Sequence, residues 1–244
     1  MNIIFLMNSY NELPMLQVKY RYCQQQGVFP IIIDNMSTDG TVEFCEKNKI
    51  AFSQIDTNNC FDLRKLLSEM QNILHIIKPD WFIYLGMDAF PIFENGIIKE
   101  CMQAENEGYN MIALSQYTFQ NTGEEMTFIN PFANNFHYQL TFTGSLIAQY
   151  HPAATITPDR LHLPDPRVYF SKGAIFESHC WNTPERRAEI LERRQRAWLN
   201  GMPKNWGTHY LNEQHTNYIF AKEKCKDVRT EKDLFELYLK AITI

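Results

Sequence analysis

The first 85 residues alternate between short apolar runs and longer stretches with helical spacing, and this order constrains the fold more than any other feature. Apolar runs cover residues 3–7, 28–33 and 81–85. Between the first two runs, apolar residues recur at helical intervals over 13–26, and Gly27 ends that helix. Because strands that alternate with helices form βαβ units, we expect an α/β fold with a mainly parallel sheet flanked by helices.

Polar clusters follow three of these apolar runs. They begin after Met7, after Ile33 and after Leu85. In a parallel α/β sheet, ligands bind beyond the carboxyl ends of the strands. We therefore expect a single binding site along this edge of the sheet.

Charge, cysteine usage and hydropathy exclude several classes of function. The formal net charge of -5 argues against a nucleic-acid partner, because nucleic-acid-binding proteins carry a basic excess. The six cysteines are scattered without a CxxC pair, as in the reduced thiols of a cytoplasmic protein. No apolar run approaches the roughly 18 residues that span a bilayer. We expect a cytoplasmic protein that contacts a membrane peripherally, if it does so at all.

Residues 34–41 are the most specific segment of the chain. The preceding strand delivers Asp34 and Asn35 at its end, where they can accept hydrogen bonds from a base N–H or a ribose hydroxyl. Residues 37–39 then make a tight turn and cap the next helix. The segment resembles the end of the second strand in family 2-like glycosyltransferases of the GT-A fold. Residues 10–12 and 80–90 are similar to that family's elements after the first strand and around its metal motif.

This resemblance implies a GT-A (Rossmann-like) sheet that binds a nucleotide-sugar donor. It implies that residues 1–180 form the catalytic domain, in which 1–95 bind the donor and 96–180 the acceptor, while 181–244 add a C-terminal helical extension. Arg64 corresponds to an arginine that contacts the nucleotide in related enzymes, and its alternative interpretation is a surface arginine on an amphipathic helix. The resulting set of expected nucleotide-binding residues is Asn8, Tyr10, Asp34, Asn35, Asp39 and Arg64.

The metal motif departs from the family pattern. The family carries Asp-x-Asp, whereas this chain has Gly86 at the first position and Asp88 at the second, followed by Ala89. A divalent cation that bridges phosphates needs hard oxygen ligands. We expect Asp88 to bind Mn²⁺ or Mg²⁺ together with diphosphate oxygens, and the alternative is a site that has lost its metal. His179 is the second expected metal ligand, with His162 as the other choice.

The resemblance also implies displacement at the anomeric carbon of the donor sugar, with inversion. Such a reaction requires a carboxylate that takes the proton of the acceptor hydroxyl. We expect Glu125, in a polar loop, or Asp165, between two prolines, to serve as this base. The other acids considered for this role are Glu124, Asp159 and Glu177.

The helix predicted over residues 184–198 carries five arginines. Its Glu189–Arg193 and Glu192–Arg196 spacings favour i,i+4 ion pairs on a solvated face. The alternative is a basic patch that binds an anionic acceptor or an acidic membrane surface.

The sequence therefore predicts a glycosyltransferase that moves a sugar from a nucleotide-sugar donor to a hydroxyl of a glycan or glycolipid acceptor. A nucleotidyltransferase would have a Gly-rich phosphate loop after the first strand, and residues 8–12 contain no glycine. The rival from another class is a non-catalytic nucleotide- or glycan-binding module of the same fold. Gly86 and Ala89, which replace the acids of the metal motif, favour that rival.

Overall fold

The structure is a computed structural model that describes residues 1–119, 132, 137–157, 161–178, 184–199 and 225–243. Strands and helices alternate strictly in its first third, as the apolar runs predict. These elements are β1 (Ile3–Ser9), α1 (Leu13–Gln26), β2 (Phe29–Asp34), α2 (Thr41–Asn48), β3 (Ala51–Gln54), α3 (Leu63–Ile77) and β4 (Trp81–Tyr84).

The rest of the described chain is richer in strands. Its elements are β5 (Ala89–Ile92), α4 (Ile97–Asn106), β6 (Met111–Phe119), β7 (His137–Gln149), β8 (Thr155–Ile156), β9 (Leu161–His162), β10 (Val168–Ser178), α5 (Pro184–Leu199), β11 (Lys226–Asp227), a 3₁₀ helix (Val228–Thr230) and α6 (Lys232–Ala241). The helix predicted over residues 184–198 corresponds to α5, whereas β5, α4 and the length of β7 are visible only in the structure.

One large sheet organises the described chain. Its strand order is β3-β2-β1-β4-β7-β6-β10-β5, and β11 pairs with β7. Strands β1 to β4 are parallel to one another, and β10 is parallel to β6. Because β7 is antiparallel to both β4 and β6, β6 and β10 point in the same direction as β1 to β4. The predicted α/β class, a mainly parallel sheet flanked by helices, is confirmed.

The two faces of the sheet carry separate apolar layers, because side chains alternate along each strand. In β1, Phe5 and Met7 belong to the layer that packs against α1 and α4, and Leu6 belongs to the layer that packs against α3. Both layers are built on the same central strand. The backbone of β1 is thus held rigidly, and its carboxyl end has a fixed position beside those of β2 and β4.

The C-terminal helix α6 packs on the second half of the sheet. The Tyr238 ring stacks on Phe119 with ring centroids 5.8 Å apart, and its hydroxyl donates to the Phe132 carbonyl at 2.7 Å. The division of the chain near residue 180 remains a prediction. Among the described residues, none of the helices is both long enough and apolar enough to cross a bilayer.

Candidate functional site

The loops after β1 and β2 interlock at the carboxyl edge of the sheet. The backbone N–H of Asn11 donates to the Ser37 hydroxyl at 2.9 Å, and the Thr38 N–H donates to Asn11 Oδ1 at 2.8 Å. Asn11 has a φ of 51°, a left-handed conformation that asparagine tolerates better than most residues. Residues 10–12 and 34–41, two of the three segments that carry the family resemblance, are therefore joined in one surface.

Asp34 is a buried carboxylate with spare hydrogen-bonding capacity. Its Oδ2 accepts from the Ser37 N–H at 3.0 Å and from Gln54 Nε2 at 3.2 Å. Its Oδ1 has no hydrogen-bond partner within the described part of the chain, and neither has the hydroxyl of Ser9, the residue beside Asp34 in the β1–β2 register. Buried polar atoms are normally hydrogen-bonded. These two atoms are therefore the positions where donors of a ligand would fit.

Asn35 and Asp39 have their polar atoms committed to the protein. Asn35 Nδ2 donates to the Cys60 carbonyl at 3.2 Å, and Asn35 Oδ1 accepts from the Thr57 hydroxyl at 2.7 Å. Asp39 accepts from the Leu13 N–H at 2.8 Å, which caps α1, and from the Thr41 N–H at 3.1 Å. Both side chains fix the loops around Asp34, so any contact that they make with a nucleotide would be additional to these bonds.

Tyr10 lies just beyond β1 and touches α5. The guanidinium carbon of Arg193 is 3.1 Å from the centroid of the Tyr10 ring. The Arg193 side chain is buried, with 3% of the residue exposed, although the sequence predicts a solvated face for α5. The expected Glu192–Arg196 pair does form, at 2.6 Å. The face prediction is wrong for Arg193 because long-range partners, and not helical spacing, decide its burial.

The other two expected nucleotide-binding residues, Asn8 and Arg64, lie in β1 and α3. Asn8 is half-buried and is the penultimate residue of β1. Arg64 is in the first turn of α3, with its side chain half-exposed and its Nε 3.3 Å from Asp62 Oδ1. Because α3 starts at the carboxyl edge, Arg64 is on the correct side of the sheet for an anionic ligand.

Asp88 follows β4 at the same edge. Its carbonyl accepts from the Ser178 N–H at 3.0 Å, and the Ala89 N–H donates to the Gly86 carbonyl at 3.2 Å. A Cβ atom added to Gly86 would lie 2.7 Å from Asp88 Oδ1. The Asp88 carboxylate therefore occupies the space next to position 86 that a side chain of the family's first acid would enter. Asp88 is suited to act as the single carboxylate ligand of this motif.

Lys19 is a fully buried cation behind the Asp88 turn. Its Nζ donates to the Ala89 carbonyl and lies 3.9 Å from the Phe90 ring centroid and 4.5 Å from that of Phe5. Burial lowers the pKa of Lys19 to about 7, although Cys23 and Asp88 act in the opposite direction. The Tyr22 hydroxyl donates to the Pro91 carbonyl of the same strand. Two side chains of α1 thus hold the outer edge of β5.

The expected catalytic acids separate into three groups. Glu125, like the expected metal ligand His179, lies outside the described residues. Asp165 is exposed and precedes β10, so it lies at the edge of the sheet opposite to Asp88. Glu177 lies beside Ala89 in the β10–β5 register, and its Oε2 accepts from the Thr118 hydroxyl at 2.7 Å. Of the acids on described strands, Glu177 is the one that the structure brings next to the metal motif.

The Asp88 carboxylate fits a divalent cation whose other ligands are phosphate oxygens of a bound nucleotide. Among the described residues, no group of three or more His, Cys, Asp or Glu side chains could hold a metal ion. Asp88 alone can contribute one hard oxygen, and diphosphate oxygens would complete the coordination of Mg²⁺ or Mn²⁺. The second metal-ligand choice, His162, is exposed on β9.

Comparison with known proteins gives likenesses of the backbone alone. No protein-family profile and no curated protein matches the chain. TarS 1-349 of S. aureus in complex with UDP has a TM-score of 0.48 at 12% identity, over 87% of this chain and 70% of that one. HddC of Yersinia pseudotuberculosis complexed with GMP-PN has a TM-score of 0.41 at 12% identity, over 80% of this chain and 99% of that one.

A third solved structure is similar over a smaller part of the chain. Glucosyl-3-phosphoglycerate synthase of Mycobacterium tuberculosis in complex with Mn²⁺, UDP and glucosyl-3-phosphoglycerate has a TM-score of 0.32 at 12% identity, over 48% of this chain and 44% of that one. At these values the likenesses do not determine the reaction of this chain, which depends on its own residues.

Sequence patterns miss two features of the site, Lys19 and the buried position of Arg193. Each had a signal in the helical spacing. Lys19 follows Leu16 by three residues and precedes Cys23 by four, so it lies on the apolar stripe of α1. Arg193 has the same relation to Ile190 and Ala197 in α5. A charged residue within an apolar stripe indicates a buried or paired charge.

Proposed function

We propose that this chain is a glycosyltransferase that transfers a sugar from a nucleotide-sugar donor to a hydroxyl of a glycan or glycolipid acceptor. Asp34 carries this proposal, because its buried Oδ1 lacks a partner among the described residues at the carboxyl end of β2. A base N–H or a ribose hydroxyl supplies the missing donor. Ser9, beside Asp34, offers a second polar contact.

The spacing of the strands supports a ligand that extends from Asp34 to Asp88. In the sheet, β1 separates β2 from β4, so the ends of β2 and β4 are two strand spacings apart, or roughly 10 Å. We place the nucleoside at Asp34, Ser9 and Tyr10, and the diphosphate toward Asp88. Asn8 and Arg64 flank this path, while Asn35 and Asp39 maintain its loops.

Asp88 is the residue that would hold a divalent cation, Mn²⁺ or Mg²⁺, with His179 as a proposed second ligand. When bound, such a cation neutralises charge on the diphosphate leaving group. The protein contributes the position of the carboxylate, because the Ser178 N–H and Lys19 Nζ hold the carbonyls of Asp88 and Ala89. Arg64, at the start of α3, supplies a further positive charge for the diphosphate.

Glu177 is proposed as the base in place of Asp165, with Glu125 retained as a further candidate. The acceptor oxygen forms a bond to the anomeric carbon while the bond from that carbon to the diphosphate breaks. The acceptor proton passes to the carboxylate, and the nucleoside diphosphate leaves with the bonding electrons. Attack from the face opposite the leaving group inverts the anomeric configuration. The Thr118 hydroxyl at 2.7 Å holds the Glu177 side chain in place.

Replacement of Glu177 by glutamine should lower kcat by about 100-fold, because glutamine keeps the hydrogen bond from Thr118 but cannot accept a proton. Donor binding should remain within about twofold of the wild type. The measurement is the steady-state rate of sugar transfer with saturating donor. Glu125→Gln is the comparison variant. A drop in kcat for Glu125→Gln, with no change for Glu177→Gln, would transfer the role of base to Glu125.

The first test is a thermal-shift panel of UDP-, GDP-, dTDP- and CMP-linked sugars, each with Mn²⁺, Mg²⁺ or EDTA. A ligand that binds only the native state raises the melting temperature by mass action. We expect one nucleotide class to stabilise the protein, more strongly with metal than with EDTA. Asp34→Asn should abolish this stabilisation. Stabilisation by none of the four classes would contradict the proposed function.

The second candidate function is a nucleotide- or glycan-binding module without catalysis. Gly86 favours it, because the motif then offers one carboxylate where the family has two. Both candidates predict nucleotide binding, so binding cannot separate them. Release of the free nucleotide (a nucleoside diphosphate, or CMP from a CMP-linked sugar) from the stabilising donor, with or without acceptor, supports the transferase. Binding with no release over many hours supports the module.

The proposal includes a cytoplasmic location and allows contact between the protein and a membrane surface. A cytoplasmic enzyme with a glycolipid acceptor would work beside a membrane, and any arginine of α5 that faced an anionic surface would favour binding to it. Arg193 does not contribute to such a surface, because it is buried. Arg196, whose side chain is 34% exposed, remains available for it.

A further inference from the structure

Helix α5 lies against the loops that surround Asp34. The Arg193 carbonyl accepts from the Phe61 N–H at 3.3 Å, and Arg196 Nε donates to the Asn59 carbonyl at 2.9 Å. Ala197 packs with Cys60 and Leu63 in a small apolar cluster. The helix therefore makes both polar and apolar contacts with the segment between β3 and α3.

Arg193 joins this segment to the loop after β1. Its guanidinium lies over Tyr10, with the central carbon 3.1 Å from the ring centroid. Its Nη2 also donates to the Cys60 carbonyl at 3.3 Å. A buried guanidinium requires partners for its charge, and the Tyr10 ring face and the Cys60 carbonyl are two of them.

The Cys60 carbonyl is the point where the nucleotide-binding loops meet. It accepts from Asn35 Nδ2 at 3.2 Å as well as from Arg193. Asn35 directly follows Asp34, and its N–H donates to the Ser9 carbonyl at 2.9 Å. A displacement of Arg193 would therefore remove the cation from one face of the Tyr10 ring and one donor from the Cys60 carbonyl.

We propose that Arg193 is a positioning residue of the donor pocket, which α5 closes by fixing Tyr10 and the Cys60 carbonyl around Asp34. This inference rests on the proposed function, since it concerns the same nucleotide site. Arg193 occupies one face of the Tyr10 ring, so a base can meet that ring only at its other face or at its edge. The region beyond residue 180 thus supplies part of the specificity for the nucleoside.

The experiment measures the dissociation constants of UDP, GDP, dTDP and CMP by calorimetry for the wild type, Arg193→Met and Arg193→Lys. We expect Arg193→Met to weaken the nucleotide that the wild type binds by at least about tenfold. Arg193→Lys should also weaken it, because an ammonium cannot stack on a ring and reach a carbonyl as a planar guanidinium does. The KM for the corresponding donor should rise in parallel, while kcat stays within about twofold.

Arg196→Met is the matched control, because Arg196 is on the same helix and donates to the Asn59 carbonyl, next to the Cys60 carbonyl that Arg193 contacts. We expect its dissociation constant to stay within about twofold of the wild type. A double-mutant cycle with Tyr10→Leu provides the second readout. Since Arg193 acts through Tyr10, the two losses should not add in the double variant.

Three results would overturn the inference. The first is a folded Arg193→Met protein, or a folded Arg193→Lys protein if the former does not fold, that binds nucleotide as the wild type does. The second is an equal loss for Arg193→Met and Arg196→Met, and the third is strict additivity with Tyr10→Leu. A wild-type protein that binds none of the four nucleotides would instead refute the proposed function itself, which distinguishes the two failures.

Discussion

Replacement of Asp88 by asparagine should lower kcat/KM for sugar transfer by about 100-fold or more, while nucleotide affinity in EDTA stays within about twofold. Asparagine preserves the shape of the side chain beside Gly86 but removes its negative charge. Loss of one electrostatic group that acts on charge developing in the transition state costs roughly 3 kcal/mol. Nucleoside contacts at Asp34 are two strand spacings away and should be unaffected.

The measurement is transfer at a series of Mn²⁺ concentrations, together with calorimetry in EDTA. Asp165→Asn is a suitable control, because Asp165 is exposed at the opposite edge of the sheet, and its activity should match that of the wild type. Activity of Asp88→Asn at the wild-type level would show that Asp88 is not the metal ligand. The transfer mechanism would then depend on Arg64 and His179.

Replacement of Lys19 by methionine should remove a rise in stability with pH. Burial lowers the pKa of Lys19 from its ordinary 10.5 to about 7, so between these values the unfolded chain binds a proton that the folded chain does not. The free energy of unfolding therefore increases with pH in this window. Integration from pH 7 to pH 8.5 gives roughly 1.5 kcal/mol for the wild type, and this contribution is absent from Lys19→Met.

The buried thiols act in the opposite direction at higher pH. Burial raises the pKa of Cys23 and that of Cys45 to about 12, and it also raises the pKa of Cys101. Above their ordinary value of 9.0, the unfolded chain loses these protons first, so stability falls. The Lys19 contribution is thus clearest below about pH 8.5, and wild-type stability should reach its maximum near pH 9.

Urea unfolding between pH 7 and pH 8.5, with the thiols kept reduced, measures the difference in slope between the two proteins. Absolute stability is a poorer readout, because Lys19→Met also leaves the Ala89 carbonyl without its donor. An equal rise with pH in both proteins would show that other groups cause it. A displaced Asp88 turn in Lys19→Met should also weaken metal-dependent donor binding.

Sequence patterns predicted the first half of the sheet correctly because those elements are encoded locally. Apolar runs bounded by polar residues identify β1, β2 and β4, and helical spacing identifies α1 and α3. Their strict alternation places the three polar segments at one edge. The positions of Asp34 and Asp88 follow from strand ends, which periodicity determines.

The roles of individual side chains at that edge depend on partners far away in the chain. Asn35 and Asp39 belong to the same motif as Asp34. Only the structure shows that their polar atoms are hydrogen-bonded to Thr57, Cys60 and Leu13. Asp165 and Glu177 could not be ranked from sequence, because their distance from Asp88 depends on the direction of β10 and its pairing with β5.

The sequence by itself thus determined the α/β class, the order of the first strands and the edge where the three polar segments lie, since these are properties of local periodicity. Only the tertiary structure decided which charges are buried. Lys19 meets Ala89 and Arg193 meets Tyr10 across separations that no local pattern encodes. A charge on an amphipathic helix is solvated or buried according to what packs against it, and packing is a property of the whole fold.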